Sequence, residues 1–270
     1  DGRKGERQNV LLRVENLSTH YTTGGGLLGQ RGKLLAKAVD NVSLNLEEGK
    51  TVGVTGETGC GKTTLALSIL KIRKPKSGAI YFSDRPILKM TEPRFRQLRG
   101  DMQMIYSDPN DSFRPGWTVR RLFSEVLRLH QRELSRKEKQ DRMMYLLESV
   151  GLDSTCLKRF PSDLNLFDRQ RVCIARVLAA QPRLLICDDP TRYLDTISQA
   201  RILDILKDVQ LHWRVTLLYL ARDFAAVDHM SDYIHVMNRG KFVESGDPDT
   251  LFHSPQHEYT RQLLALSGAP

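Results

Sequence analysis

Residues Gly56-Glu57-Thr58-Gly59-Cys60-Gly61-Lys62-Thr63 read G-x-x-x-x-G-K-T, set between an apolar β-prone run (Thr51 to Thr55) and a helix-like run (Thr64 to Lys71). That order of strand, loop and helix is the context this motif requires, and the rest of the chain has to be arranged around it. The glycines at 56, 59 and 61 let the backbone take positive φ and come close to a ligand, so successive N–H groups converge on phosphate oxygens at a helix N-terminus. Lys62 supplies a point charge for the outer phosphates. Thr63 offers a hydroxyl suited to Mg²⁺, a hard cation that binds through few protein ligands beside the phosphates. A glycine-rich turn with an incidental lysine would need neither the full spacing nor both flanks. Residues 56–64, from Gly56 through Thr64, are therefore the candidate nucleotide-binding loop.

With 270 residues and 40% hydrophobic content the chain can bury a substantial core, as one large domain or two small ones. Its four cysteines (Cys60, Cys156, Cys173, Cys187) have no C-x-x-C pairing, and one lies inside the phosphate loop. Neither a disulfide framework nor a metal site is expected, which favours a reducing compartment. No apolar run approaches the length of a membrane span, and the charged start Asp1 to Arg7 does not read as a signal peptide. A soluble chain is expected. The net charge of +9 is compatible with nucleic acid or an anionic lipid surface. The basic residues are interleaved with acids and lack aromatic-studded blocks, so most read as solvated faces, with a minor share for a place near lipid head groups.

Along the chain, alternating apolar residues predict strands over Val10 to Leu17 and Ala36 to Leu46, separated by a loop rich in glycine (Gly24, Gly25, Gly26, Gly29, Gly32). Pro75 and Gly78 turn the chain into a short strand, Ala79 to Phe82. Pro93 to Arg99 reads as a short helix and Met102 to Tyr106 as a strand. Two helical runs follow. In the second, Ser135 and Glu138 form a capping box, Met143, Leu146, Leu147 and Val150 mark one face, and Gly151 ends it. From Arg169 onward a helix (Gln170 to Ala180), a buried strand (Leu184 to Cys187), a helix with Ile202, Ile205, Leu206 and Val209 on one face, and a strand (Val215 to Leu220) predict an α/β fold with a mainly parallel sheet covered on both sides.

Leu184-Leu185-Ile186-Cys187-Asp188 is four apolar residues and an acid, the pattern of a Walker B strand that presents an aspartate to Mg²⁺. Alone it is weak, since buried strands often end in Asp; behind a phosphate loop it becomes a strong signal. Here the chain resembles the ATP-binding subunits of ABC transporters, in the branch serving oligopeptide, dipeptide and nickel importers. The resemblance runs from Leu11-Leu12-Arg13-Val14 through Ala38-Val39-Asp40-Asn41-Val42-Ser43 to the C-terminal end. The branch is favoured by Met104-Ile105-Tyr106-Ser107-Asp108-Pro109, Ser112-Phe113-Arg114-Pro115, Val243-Glu244-Ser245-Gly246 and Pro255-Gln256-His257-Glu258-Tyr259-Thr260.

The resemblance implies a P-loop NTPase (RecA-like) core, an N-terminal antiparallel β subdomain and an inserted helical subdomain. Together these make one nucleotide-binding domain over residues 1–270. The β subdomain and core would take about 10–90 and 167–270, the helical subdomain about 91–166. It implies ATP and Mg²⁺ as ligands, with Tyr21 stacking on adenine and Thr63 and Asp188 serving the metal. Ordinary strand-end packing is the plainer reading of Tyr21. In this family two such domains close head to tail, each ATP lying between one domain's phosphate loop and the other's signature segment. The implied partners are a second ABC nucleotide-binding subunit, two membrane permease subunits and, indirectly, a substrate-binding protein, with no nucleic acid. The implied location is peripheral, on the cytoplasmic face of the inner membrane.

Five departures fall at positions that serve turnover. The family's Gln that senses Mg²⁺ and the attacking water is Ser107. The signature L-S-G-G-Q aligns with Leu164-Asn165-Leu166-Phe167-Asp168, so two glycines give way to bulky side chains and Asp168 sets a carboxylate near the partner's γ-phosphate. The catalytic Glu after the Walker B strand is Asp189, shorter by about 1.5 Å at standard bond lengths. The S-A-L-D loop reads Arg192-Tyr193-Leu194-Asp195. The switch His is Arg222, a fixed cation that cannot shuttle a proton. His212, placed in a helix-end loop, and His235, placed in a strand, offer no substitute. Losing a positioned general base costs on the order of 10² to 10⁴ in rate, and misplacing a group by about 1 Å costs roughly 10². Intact ATP binding with strongly impaired hydrolysis is therefore expected. Two functions follow from this: an ATP-binding subunit energising an importer for peptides or nickel-type solutes, or a non-hydrolysing regulatory or structural subunit of the complex. A soluble ABC protein that handles nucleic acid is a third class, suggested only by charge. Many members that serve peptides continue into a cysteine-bearing tail, which the sequence to Pro270 does not contain.

Overall fold

The computed structural model describes residues 9–23 and 34–266. The glycine-rich segment expected between the first two strands lies outside the described residues. The chain divides into two compact units, residues 1–91 with 218–270, and residues 92–217.

The first unit opens with β1 (Val10–Thr23) and β2 (Leu34–Glu47), then β3 (Thr51–Thr55), α1 (Lys62–Ile69), β4 (Ser77–Phe82) and the short β5 (Arg85–Pro86). The first two strands are longer than their sequence pattern predicts. Their alternation breaks at β-bulges, where the register shifts between Val14 and Leu17, and Asn16 and Asn41 take positive φ of 48° and 57°. Asparagine tolerates that conformation better than most residues. Serine hydroxyls from the neighbouring strand accept both amides, Asn16 N to Ser43 Oγ at 2.8 Å and Asn41 N to Ser18 Oγ at 3.0 Å. Beyond the bulge the pattern is regular, with Val42, Leu44 and Leu46 buried between exposed Ser43 and Asn45. The antiparallel sheet runs β2-β1-β4-β5.

The second unit carries α2 (Glu92–Leu98), β6 (Met102–Ile105), α3 (Val119–His130), α4 (Arg136–Glu148), α5 (Leu166–Leu178), β7 (Leu184–Asp188) and α6 (Thr196–Trp213). β6 and β7 pair in parallel, Met102 opposite Leu184 through Ile105 opposite Cys187. The capping box is formed: Glu138 N donates to Ser135 Oγ at 3.3 Å, and Ser135 N donates to Glu138 Oε2 at 2.7 Å. Met143, Leu146, Leu147 and Val150 are buried, and Gly151, at φ 73°, follows the helix end. Two expectations are corrected. α5 starts at Leu166 rather than Gln170, because Asn165 caps it. His212 belongs to the last turn of α6 rather than to a loop, its Nδ1 2.8 Å from Asp208 O.

β8 (Thr216–Ala221) leads back into the first unit, which ends with α7 (Phe224–Met230), β9 (Tyr233–Asn238), β10 (Lys241–Gly246), α8 (Pro248–His253) and α9 (Glu258–Leu266). There the order is β10-β9-β3-β8, with β3 and β9 parallel and β9 and β10 an antiparallel hairpin. Every residue of β3, β7 and β8 is buried, as expected of strands covered on both faces. No helix among the described residues is long and apolar enough to cross a membrane.

His235 on β9 is 8% exposed, with Nδ1 2.6 Å from Ser245 Oγ and its ring stacked 4.2 Å from that of Phe242. Burial pushes its pKa down to about 4. An unfolded His titrates near ~6.5, so between these values the unfolded chain holds the extra proton and stability falls as pH drops. The contribution is present above about pH 6.5, and roughly 2 kcal/mol of it is lost by about pH 5. Urea unfolding of the wild type and His235→Gln at both ends of that window is expected to show the wild type losing about that much more than the variant.

Candidate nucleotide-binding site

The phosphate loop leaves the buried end of β3 and enters α1 at Gly61, the N-cap. No side chain caps this helix and no acid stands in its first turn, an arrangement that suits an anion at its N-terminus. Gly56 and Gly61 are required by the loop's own packing. Their φ values are 148° and 120°, and a Cβ would stand 2.1 Å from Met237 O in the first case and 2.1 Å from Ala38 O in the second. Gly59, at φ 87°, has nothing within 4 Å of its Cβ position, so here the conformation alone demands glycine. Glu57, Thr58, Gly59 and Thr63 are exposed, whereas Cys60, Lys62 and Thr64 are buried.

Lys62 is 8% exposed, and its ammonium donates to Gly56 O at 2.5 Å and Glu57 O at 3.0 Å, with Cys60 Sγ 3.5 Å away. The same lysine that would meet phosphates thus ties the two ends of the loop together. Thr64 Oγ1 lies 2.9 Å from the Tyr21 hydroxyl, and the Arg73 guanidinium sits 4.2 Å over the Tyr21 ring. These contacts place the aromatic expected against adenine beside the first turn of α1.

Sequence reasoning gave no role to two residues that brace the loop. Gly240, at φ 83° after β9, donates its N–H to Cys60 O at 2.8 Å and accepts from Asp40 N at 2.8 Å. Tyr259 on α9 accepts the Glu57 N–H at 3.0 Å. Tyr259 lies in a segment that resembles the importer branch, but nothing local at either residue marks a contact with a loop some 200 residues away. Arg222 follows β8, exposed, its carbonyl 3.4 Å from Thr55 Oγ1. A cavity of about 720 Å³ in this unit lies elsewhere, among Arg13, Glu15, Lys50, Thr51, Asp232 and His235, at the opposite end of β3 from the loop.

In the second unit Asp188 ends β7, 6% exposed, and Asp189 follows in the left-handed region at φ 51°. Aspartate enters that region more readily than most non-glycine residues. Ser107 is half-buried just beyond β6, next to Tyr106. Burial, joined by the Asp111 and Asp188 carboxylates and opposed by Arg176, pushes the Tyr106 phenol up. Burial also pushes the Cys173 thiol up to about 12, which leaves it inert.

The signature segment is built tightly. Asn165 Oδ1 accepts from Asp168 N at 2.8 Å, and Arg169 holds the turn by donating to Pro161 O at 2.8 Å and Leu164 O at 2.9 Å. The Asp168 carboxylate, read from sequence as a bare charge, pairs with Arg171, whose guanidinium also covers the Phe167 ring at 4.4 Å. Leu166 opens α5 and Leu164 is buried. In the next loop Arg192 and Tyr193 are exposed, and Asp195 caps α6 by accepting from Ser198 N at 3.0 Å. The predicted site residues therefore form two groups, one in each unit. The loop, Tyr21 and Arg222 are in the first; Ser107, Leu164 to Asp168, Asp188, Asp189 and Asp195 are in the second.

Known proteins resemble this chain in sequence and in fold. The family model described as ABC transporter matches residues 39–192. The oligopeptide transport ATP-binding protein OppF of Salmonella typhimurium is 37% identical over 267 residues, covering 98% of this chain and 80% of that protein. The di/tripeptide transport ATP-binding protein DppF of Pseudomonas aeruginosa is 34% identical, covering 96% and 80%. In structure, CbiO1 from Clostridium perfringens, part of the ABC transporter complex cbiONQ, superposes with a TM-score of 0.77 at 24% identity, covering 96% of this chain and 95% of that one. A bacterial ABC transporter cassette solved as a dimer gives a TM-score of 0.77 at 22% identity, covering 88% and 98%. At those identities the two structures speak for the fold alone, whereas the family match and the sequence relatives place the chain itself: it belongs to the ABC transporter family.

Proposed function

We propose that the chain is the ATP-binding subunit of a peptide importer, in which ATP-driven closure of two cassettes is coupled to transport and hydrolysis is weak. The observation that carries this is the phosphate loop, with Lys62 fixed between two loop carbonyls at the uncapped start of α1, in a chain whose sequence relatives are named for peptide transport.

In this reading the α1 amides and Lys62 hold the phosphates, Tyr21 takes the adenine, and Thr63 and Asp188 hold Mg²⁺. An oxygen donor set of a hydroxyl and one carboxylate beside phosphates fits that ion. Mg²⁺ supplies charge neutralisation of the phosphates when bound. Asp189 is the shortened base, Ser107 stands where a water-orienting side chain would reach, and Arg222 is a fixed cation. The segment Leu164 to Asp168 and Asp195 face the partner's nucleotide, with Arg171 offsetting the Asp168 charge. Two permease subunits, a second cassette and, indirectly, a substrate-binding protein complete the complex on the cytoplasmic face of the membrane, with no part for nucleic acid.

The second reading, a non-hydrolysing regulatory subunit, is favoured by the departures at Ser107, Asp189 and Arg222. Peptide uptake by vesicles carrying the cognate complex separates the two. The importer reading expects uptake that needs ATP and is lost with Lys62→Ala. Uptake indifferent to that substitution would favour the regulatory subunit.

A further inference from the structure

The chain's last described helix is tied to the phosphate loop by a short series of contacts, all within the first unit. The Glu244 carboxylate, at the end of the β9–β10 hairpin, accepts from Gln256 N at 2.7 Å and His257 N at 3.0 Å, fixing the approach to α9. Arg261 closes the same turn from the other side by donating to Pro255 O at 3.2 Å and Gln256 O at 2.7 Å. Thr260, Leu263 and Leu264 are buried and hold the helix down. This delivers the Tyr259 hydroxyl to the Glu57 N–H at 3.0 Å. Burial pushes the phenol up, so the group stays a neutral acceptor. Glu57 is gripped from both sides, because its carbonyl accepts from the Lys62 ammonium at 3.0 Å and from Cys60 N at 3.2 Å.

We propose that Tyr259 is a positioning residue for nucleotide binding: by holding the Glu57 amide it fixes the peptide unit that aims Lys62, so that undocking α9 loosens the phosphate loop. The structural consequence is that whatever acts on residues 255–266 acts on the nucleotide site. The hydrogen bond acts by preorganising the loop. The Glu57 N–H has no partner within the loop's own hydrogen bonds, and an unheld amide there leaves the loop to sample other conformations before it can bind. Removing one such hydrogen bond is worth about three- to tenfold in affinity.

This deepens the nucleotide-binding reading and rests on it for its functional part, so the test has two readouts. Amide exchange over residues 56–62 and the Kd for Mg-ATP are measured on the whole chain for the wild type, Tyr259→Phe, Glu244→Gln and the double variant. Tyr259→Phe keeps the ring and its packing and removes the hydroxyl. Glu244→Gln keeps the hydroxyl and loosens its delivery. Faster exchange at Glu57 and an affinity about three- to tenfold weaker are expected in each single variant, with the double variant no worse than the more affected single one. Wild-type exchange and affinity in Tyr259→Phe would overturn the proposal, and so would effects of the two substitutions that multiply as independent sites do. A wild-type chain that binds no Mg-ATP would sink the nucleotide reading instead, while the exchange rates would still decide whether the tether holds the loop.

Discussion

Lys62→Ala is expected to weaken Mg-ATP binding by about a hundredfold or more. Hydrogen bonds to charged groups contribute roughly 1.5–3 kcal/mol each, and the ammonium would meet more than one phosphate oxygen. The loss has a second source. Lys62 donates to the carbonyls of Gly56 and Glu57, so its removal also frees the loop that positions the α1 amides. Lys62→Met loses the ammonium, and with it both sources, but keeps the buried stem, so its comparison with Lys62→Ala isolates the packing of that stem from the hydrogen bonds. Titration calorimetry is expected to place both variants far below the wild type, and thermal unfolding is expected to show the methionine variant closer to the wild type in stability.

The other large effect concerns turnover. Restoring three side chains in this chain, Ser107→Gln, Asp189→Glu and Arg222→His, is expected to raise ATP hydrolysis by roughly 10² or more, the scale on which a positioned general base acts. The three act as a unit, so single restorations are expected to give far less than their share. Asp189→Glu alone carries a structural cost as well. Its backbone sits at φ 51°, a region aspartate tolerates and glutamate does so less readily, so this variant is expected to be about 1 kcal/mol less stable. Steady-state phosphate release by the assembled cassette pair, read beside urea unfolding of each variant, checks both statements. A triple variant that folds normally and stays as slow as the wild type would place the defect elsewhere, in the signature segment Leu164 to Asp168.

The parts of the fold that were legible in the sequence are those fixed by local chemistry. The strand, loop and helix around Lys62 are set by three glycines and their flanks, the capping box at Ser135 by two residues three apart, and β7 by an unbroken apolar run that ends in Asp188. Boundaries failed where a side chain overrode the pattern. Asn165 caps α5, which starts four residues ahead of the prediction, and the bulge at Asn16 lets β1 run past the point where alternation breaks. What the sequence could not show is contact across long separations. The hold of Tyr259 on Glu57 and of Gly240 on Cys60 comes from tertiary placement, whereas the pairing of Arg171 with Asp168, three residues apart on α5, is a local one that the spacing offered and the sequence reading passed over, and it changes the electrostatics expected of the signature segment. Glycine at 56 and 61 was read as room for a ligand, whereas the structure gives both a closer reason, the neighbouring carbonyls of Met237 and Ala38.

The central claim is that this cassette holds ATP well and cleaves it poorly. A single-turnover assay addresses it most directly: trace-labelled Mg-ATP with excess chain, alone and within its cognate complex, scored as bound ATP against ADP over time, with Lys62→Ala as control. The account predicts ATP retained intact over many minutes and released by Lys62→Ala. Prompt conversion to ADP that depends on Lys62 would contradict it, and would mean that Asp189 serves as a competent base despite its shortened reach.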